Sequence, residues 1–94
     1  MTTVHVPGKK SAHIMLFALS TCGSCQKTKK LLDDLGVEYY YEYVDHLHGD
    51  ERERTLQEIA DWNPSGTFPT IVINSERCIV GYREREIREA LSIA

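Results

Sequence analysis

The alternation of strand and helix patterns along this chain predicts an α/β domain in which three helices flank a four-stranded mixed sheet. Two observations carry the prediction. Residues 14–19 form a continuous apolar run, typical of a strand buried on both faces, and apolar residues at helical spacing follow it. Near the other end, the strand patterns of residues 68–73 and 78–80 flank a short turn, which indicates an antiparallel hairpin.

The segment after the first strand has the spacing of an amphipathic helix. Thr28, Leu31, Leu32 and Leu35 recur at helical intervals, with lysines and aspartates elsewhere on the wheel. Gly36 is expected to end this helix, because glycine readily adopts the left-handed conformation found after helices. A crossover helix of this kind joins two strands in parallel.

The middle of the chain holds one further strand and one further helix. Residues 37–44 are rich in strand-forming residues and lack glycine and proline, so a strand is expected there. A polar loop is expected over residues 45–50, followed by a helix over residues 51–62 that residues 63–66 terminate. The apolar face of that helix is expected to consist of Leu56, Ile59 and Ala60.

The two ends of the chain complete the prediction. A last helix is expected over residues 84–94. Its buried residues would be Ile87, Ala90, Leu91 and Ala94. At the other end, Val4 and Val6 alternate like a short edge strand. We therefore divide the chain into an N-terminal extension, residues 1–12, which can add an edge strand to the sheet, and one domain over residues 13–94.

Composition and charge argue against several kinds of function. The chain has 94 residues, 41% of them apolar, which suits one small domain with a core. Its net charge of −3 argues against a nucleic-acid partner. No apolar run approaches the roughly 20 residues of a membrane span, and the first residues lack a signal-peptide pattern. We expect a cytoplasmic monomer that binds neither membrane nor nucleic acid.

The three cysteines are the most informative feature of the composition. Cys22 and Cys25 form a C-x-x-C motif where the first strand leads into the first helix, and open α/β sheets place their sites at such junctions. In a reducing compartment this spacing indicates redox chemistry or metal binding. Structural zinc almost always takes four ligands, and Cys78 supplies no second pair. A redox dithiol is therefore favoured, with no metal site; His46 and His48 are expected to be solvated.

The position of the motif separates its cysteines by role. The thiolate is the reactive form of cysteine, and Cys22 stands just before a helix whose unpaired N–H groups favour an anion. Cys22 is therefore the expected nucleophile. Cys25 lies one turn further along the same helix face and is expected to be more buried, so it would resolve the mixed disulfide and release reduced substrate.

Three segments together resemble the glutaredoxin family, whose members have the thioredoxin fold. Residues 22–37 are similar to the family pattern in which C-x-x-C precedes Thr-Lys, a leucine and a glycine. The segment Thr67-Phe68-Pro69-Thr70 is similar to the family's Thr-Val-Pro, and residues 80–87 resemble the Gly-Phe-Arg segment of NrdH-type redoxins. The resemblance implies a thioredoxin-like fold, a thiol–disulfide oxidoreductase with a dithiol mechanism, and a cis peptide bond before Pro69.

The same resemblance implies a substrate groove beside the motif. Its borders would be Thr67, Phe68, Pro69, Gly81 and Tyr82. The backbone of Phe68 is expected to pair with an extended substrate segment, in the manner of strand addition. Tyr82 supplies an aromatic face with a polar tip, which suits contact with a peptide or a thiol carrier.

The sequence departs at two places from members of the family that depend on glutathione. Leu19 stands where they carry a lysine that contacts glutathione, and residues 80–83 replace their Gly-Gly-x-Asp segment. No bound cofactor is expected. The external electron donor is glutathione or a flavin-dependent thioredoxin reductase, and the departures favour the reductase. The expected partners are disulfide-containing proteins or small molecules and this donor.

Functions of other classes remain open. Related monothiol proteins, which carry Cys-Gly-Phe-Ser, can hold an iron–sulfur cluster or metal between two chains. In this chain the cluster would bind through Cys22. The second cysteine, Cys25, argues against this function. A thioredoxin-fold domain can also be a non-catalytic interaction module. An arsenate-reductase-like enzyme would need basic residues near Cys22, and the segment around Pro69 offers none.

Overall fold

A five-stranded mixed sheet organises the protein, which a computed structural model describes over residues 3–91. Its strands are β1 (Val4–Val6), β2 (Ile14–Ala18), β3 (Tyr39–Tyr43), β4 (Thr70–Ile73) and β5 (Arg77–Val80). They lie side by side in the order β1-β3-β2-β4-β5, with β2 and β3 parallel and the other neighbours antiparallel. The predicted mixed sheet is therefore confirmed, and the N-terminal edge strand joins it.

The parallel pairing of β2 with β3 places their carboxyl ends side by side. Ala18 is paired with Tyr43 at this end. Helix α1 (Gly23–Leu35) starts after the loop that follows β2, and a short 3₁₀ helix (Val44–His46) follows β3 directly. The loop that carries the cysteine motif therefore lies next to this 3₁₀ helix.

Helices cover both faces of the sheet. Helix α1 and helix α3 (Glu84–Leu91) share one core cluster with β2, whereas α2 (Gly49–Trp62) packs on the opposite face. Gly36 ends α1 with a left-handed φ of 69°, as its sequence position predicts. No helix within residues 3–91 is long and apolar enough to cross a membrane.

Alternation along β2 divides its side chains between the two parts of the core. Leu16 and Ala18 pack in the cluster that also contains Leu32 of α1, whereas Phe17 packs with Ile59 of α2. All five side chains are at most 2% exposed. Burial on both faces explains the continuous apolar run in the sequence, and it fixes the strand from which the cysteine loop departs.

The N-terminal extension continues past β1 along the start of the third strand. Lys9 forms a parallel bridge with Val37. Its N–H donates to the Gly36 carbonyl oxygen at 2.7 Å, and its carbonyl oxygen accepts the Glu38 N–H at 2.8 Å. A Cβ on Gly8 would lie 2.6 Å from the Val37 carbonyl carbon, so glycine permits this close approach.

Several predicted boundaries are wrong in the middle of the chain. The third strand begins at Tyr39 and ends at Tyr43, and the expected polar loop contains the 3₁₀ helix and a buried Leu47. Helix α2 starts two residues early, at Gly49, and Leu56 is 38% exposed instead of buried. Leu47 and Val44 fill the space beside Ile59, so α2 contacts the core along a narrower face than its sequence indicates.

The remaining differences concern the hairpin and the last helix. The hairpin strands begin at Thr70 and Arg77, where ladder pairing starts. Ile87 and Leu91 are buried as predicted, whereas Ala90 is only half-buried. Residues 92–94, which include Ala94, lie outside the described part of the chain, as do residues 1 and 2.

Candidate active site

Cys22 occupies the N-cap position of α1. Its backbone is extended (φ −92°, ψ 120°), and its Sγ accepts the backbone N–H of Cys25 at 3.2 Å. Its carbonyl oxygen accepts the N–H of Gln26 at 3.1 Å, the first bond of the helix ladder. The Cys22 side chain is only partly buried. The sulfur therefore combines access with a backbone donor at a helix N-terminus, the arrangement that stabilises a thiolate.

Cys25 lies beneath Cys22 and is 1% exposed. Its Sγ accepts the backbone N–H of Leu19 at 3.5 Å. Burial, reinforced by a hydrogen bond to Cys22, raises the pKa of the Cys25 thiol to about 12. Both cysteines are free thiols. The expectation that Cys25 is the more buried of the two is confirmed.

The loop before Cys22 is fastened to the end of β3. Asp45, in the 3₁₀ helix, accepts the N–H of Ser20 at Oδ1 and the hydroxyl of Ser20 at Oδ2, at 2.9 and 2.5 Å. Gln26 Nε2 donates to the Ser20 carbonyl oxygen and to the Tyr43 hydroxyl, both at 3.4 Å. These contacts define the position of the residues that precede the motif.

The segment before β4 contains the predicted cis peptide bond between Phe68 and Pro69. Pro69 is buried, and its carbonyl oxygen accepts the N–H of Gly81 at 2.9 Å. Phe68 is half-buried and packs against the same core cluster as Cys22. Within residues 3–91 no hydrogen bond reaches the backbone N–H or carbonyl oxygen of Phe68, so both groups can pair with a substrate.

The predicted groove residues are brought to the same end of the hairpin. Thr67 is exposed, and Gly81 adopts a φ of 88° that favours glycine. Tyr82 is 37% exposed, and its hydroxyl donates to Glu84 Oε1 at 3.1 Å. That bond to a carboxylate raises the pKa of the Tyr82 hydroxyl. The aromatic ring of Tyr82 therefore borders solvent while its polar tip already has a partner.

Asn63 organises the segment before Phe68, and sequence reasoning missed it. Its side chain is 4% exposed, and its Nδ2 donates to the Thr67 carbonyl oxygen at 3.0 Å. The same nitrogen lies 3.2 Å from the hydroxyls of Thr67 and Thr70. An asparagine before a proline at a helix end is typical of a helix stop. The sequence position of Asn63 therefore did not indicate that its side chain also holds the segment before Phe68.

The other candidate ligands and thiols lie elsewhere. Cys78 is half-buried on β5, where it is paired with Val72, and burial raises its pKa. His46 and His48 are exposed, as expected. In the described part of the chain, no three His, Cys, Asp or Glu side chains are grouped to hold a metal ion.

The fold and the site together place the protein in the class of thioredoxin-fold proteins with a free cysteine pair at the start of the first α-helix. This cysteine pair supports a thiol-redox function. The family model described as Glutaredoxin matches residues 14–79. The chain therefore belongs to the glutaredoxin family. A search of curated proteins finds no match.

Solved structures of similar proteins agree with this assignment. The glutaredoxin from Methanosarcina mazei Go1 is 48% identical, with a TM-score of 0.90 over 99% of this chain and 90% of that chain. The Methanosarcina acetivorans methanoredoxin is 45% identical, with a TM-score of 0.88 over 92% of this chain and 90% of that chain. A glutaredoxin from Archaeoglobus fulgidus is 27% identical, with a TM-score of 0.81 over 86% of this chain and 87% of that chain.

Proposed function

We propose that this protein is a thiol–disulfide oxidoreductase that reduces disulfides of proteins or small molecules by a dithiol mechanism. The observation that carries the proposal is the unequal placement of the two sulfurs. Cys22 Sγ is accessible and accepts a helix N-terminal N–H at 3.2 Å, whereas Cys25 is buried and its thiol has a pKa of about 12. Cys22 is therefore suited to attack the substrate disulfide. Cys25 stays a neutral thiol until the second step.

In the first step the Cys22 thiolate attacks one sulfur of the substrate disulfide. A Cys22–substrate disulfide forms, the substrate S–S bond breaks, and the departing thiolate takes a proton from solvent. The N–H of Cys25 holds the attacking sulfur at the mouth of the site. This step needs no movement of Cys25.

In the second step Cys25 resolves the mixed disulfide. Its thiol gives a proton to solvent, its sulfur attacks Cys22 Sγ, and the second substrate thiolate leaves and is protonated. The protein ends with a Cys22–Cys25 disulfide, and two electrons have passed to the substrate. The positions i and i+3 place both sulfurs on one face of α1, so the bond forms within one helical turn.

The substrate groove of this proposal is the segment around the cis peptide bond. The N–H of Phe68 would donate a hydrogen bond to an extended substrate, and its carbonyl oxygen would accept one. The substrate would then lie beside Thr67, Pro69, Gly81 and Tyr82. The free N–H and carbonyl oxygen of Phe68 support this role.

The electron donor in this proposal is a flavin-dependent thioredoxin reductase, as for NrdH-type redoxins. Leu19 supports it, because an apolar side chain there cannot pair with a carboxylate of glutathione. A dithiol that must be reduced again after each cycle fits a reducing compartment such as the cytoplasm. The Cys22–Cys25 disulfide forms within one chain, so the proposed reaction needs only a monomer. Oxidised protein incubated with NADPH and thioredoxin reductase should recover both thiols, whereas efficient recovery with glutathione and glutathione reductase would contradict this donor.

The function is tested with two serine variants and an insulin or model-peptide disulfide. Cys22→Ser should abolish reduction, and Cys25→Ser should accumulate a Cys22–substrate disulfide visible by intact mass. Full protein-disulfide reductase activity in Cys25→Ser would contradict the dithiol mechanism. Cys78→Ser, on β5, is the matched control and should reduce at the wild-type rate. A coloured dimer after anaerobic purification would instead indicate a cluster bridged through Cys22.

A further inference from the structure

The contact between Ser20 and Asp45 joins the cysteine loop to a different strand. Ser20 lies two residues before Cys22, and Asp45 follows β3 in the 3₁₀ helix. Both carboxylate oxygens of Asp45 are engaged, one by the N–H and one by the hydroxyl of Ser20, at 2.9 and 2.5 Å. A two-point contact fixes orientation as well as distance, which a single surface hydrogen bond does not.

A second set of contacts closes the loop around Ser20. The Cys22 N–H donates to the Leu19 carbonyl oxygen at 3.2 Å, and the Leu19 N–H donates to Cys25 Sγ at 3.5 Å. Gln26 Nε2 lies 3.4 Å from the Ser20 carbonyl oxygen. Ser20, which Asp45 holds, therefore directly follows Leu19, the residue whose N–H donates to Cys25 Sγ, and precedes Cys22 by two positions.

Asp45 also brings a negative charge to the cysteine pair. The hydrogen bonds from Ser20 lower the pKa of the Asp45 carboxyl, so it is ionised at neutral pH. Its charge contributes to the raised pKa of Cys25. The other titratable group beside it is His46, whose Nε2 lies 3.9 Å from Asp45 Oδ2. Cys25 and His46 are thus the titratable groups that the charge of Asp45 affects.

We propose that Asp45 is a positioning residue of the exchange reaction, which holds the cysteine loop through Ser20 and sets the rate of the resolving step through its charge beside Cys25. This inference rests on the proposed dithiol function. In the first step the reacting charge is on Cys22, and Asp45 acts only by fixing the loop. In the second step Cys25 must become an anion; its Sγ accepts the N–H of Leu19, the neighbour of the Ser20 that Asp45 holds, so the Asp45 carboxylate disfavours this anion and slows resolution.

Two substitutions at Asp45 separate position from charge. Asp45→Asn keeps a carbonyl oxygen for the Ser20 N–H and an amide for the Ser20 hydroxyl, but it removes the charge. Asp45→Ala removes both contacts. Each variant is loaded at Cys22 with a chromogenic aryl thiol as a mixed disulfide, and release of the thiol is followed by stopped flow from pH 6 to 10. Alkylation of Cys22 by iodoacetamide reports the first step independently.

Asp45→Asn should release the thiol about two- to fivefold faster at pH 7, less than the tenfold of a full pKa unit, because a one-third exposed carboxylate is screened. Its release profile should move to lower pH, while Cys22 alkylation stays within about twofold of wild type. In 1 M salt the difference in release rate between Asp45→Asn and wild type should become smaller, because salt screens the charge of Asp45. Asp45→Ala, and more weakly Ser20→Ala, should slow Cys22 alkylation by about threefold or more, because the loop is less well placed.

Asp34→Asn is the charge-matched control, since Asp34 is exposed and lies 12 positions beyond Cys22, about 18 Å along α1. It should match wild type in both assays. Equal release rates for Asp45→Asn and Asp34→Asn would overturn the inference, and so would slower release in Asp45→Asn, even if Asp45→Ala folds poorly. Failure of wild type to form any Cys22 mixed disulfide would instead reject the proposed function itself.

Discussion

The hydroxyl of Tyr39 donates to Oδ1 of Asp33 at 2.6 Å, which joins the first residue of β3 to the last turn of α1. Tyr39 is fully buried, whereas the Asp33 side chain is 43% exposed. The hydroxyl is thus the one polar end of a core side chain, and it reaches a carboxylate at the surface. Burial and the bond to Asp33 both raise the pKa of the Tyr39 hydroxyl, so it remains a donor at neutral pH.

Removal of that hydroxyl should destabilise the fold without changing the active site. Tyr39→Phe is expected to lower the free energy of unfolding by about 1.5–3 kcal/mol, the usual range for a hydrogen bond to a charged group. Urea denaturation followed by circular dichroism measures the change. Tyr41→Phe is the control, because no hydrogen bond of the Tyr41 hydroxyl occurs in the described chain, and it should cost less than about 0.5 kcal/mol. Equal losses would contradict the role of the 2.6 Å bond.

Stability should fall at alkaline pH because of Cys25. Burial raises the pKa of Cys25 from 9.0 to about 12, so the unfolded chain loses this proton at lower pH than the folded protein does. The stabilising effect is complete below about pH 9 and is lost as the pH rises toward 12. The free energy of unfolding of the reduced protein, measured from pH 7.5 to 10.5, should therefore decline.

The Cys25→Ala variant should show a shallower decline over the same pH range. A residual slope is expected, since the raised pKa of Tyr39 acts in the same direction. Cys22→Ala should fall between wild type and Cys25→Ala, because the hydrogen bond to Cys22 is the second cause of the raised pKa of Cys25, and only the wild type should keep the full slope. If Cys25→Ala keeps that slope as well, the buried thiol does not govern the alkaline behaviour.

Asn63 should support both stability and substrate binding. Asn63→Ala leaves the hydroxyl of Thr70 without the amide that lies 3.2 Å away and frees the segment before Phe68. A loss of about 2–3 kcal/mol is expected for this buried network, together with a higher KM for a peptide disulfide. Alkylation of Cys22 should be unchanged. Ser65→Ala, at an exposed position that also contacts Asn63, should have a much smaller effect on both quantities.

The sequence predicted the parts of this fold that depend on local patterns. The apolar run of residues 14–19, the helix stop at Gly36 and the position of Cys22 before a helix are all readable from neighbouring residues. Asn63 and Asp45 were not predicted, because their roles depend on partners brought close by the fold, such as Ser20, which lies 25 positions before Asp45. A polar residue in a loop has the same local pattern whether it faces solvent or fastens another loop.

Exposure of Leu56 was mispredicted for a related reason. Its spacing from Ile59 fits one helix face, and the helix is present. Which part of that face meets the sheet depends on Val44 and Leu47, which occupy the space beside Ile59. Periodicity gives the direction of an apolar face but not the shape of the surface that covers it.

Gly8 should be required for attachment of the N-terminal extension. In Gly8→Ala the new Cβ would meet the Val37 carbonyl carbon at 2.6 Å, and that atom belongs to the backbone and cannot rotate away. We expect a loss of about 1–3 kcal/mol and faster proteolysis of residues 3–12. Gly23→Ala is the control, because its Cβ would meet nothing within 4 Å, and it should not lower stability. Equal urea midpoints for the two variants would contradict this packing.

The central position of β2 has a consequence for how the protein fluctuates. β2 is hydrogen-bonded to β3 on one side and to β4 on the other, whereas β1 and β5 are the outer strands. Amide hydrogen exchange in such a sheet is fastest at the outer strands and slowest at the centre, because fraying begins where one side has no neighbour. Transient opening of β1 or β5 leaves β3, β2 and β4 paired. The strand from which the cysteine loop departs thus stays paired on both sides through the frequent small openings of the sheet.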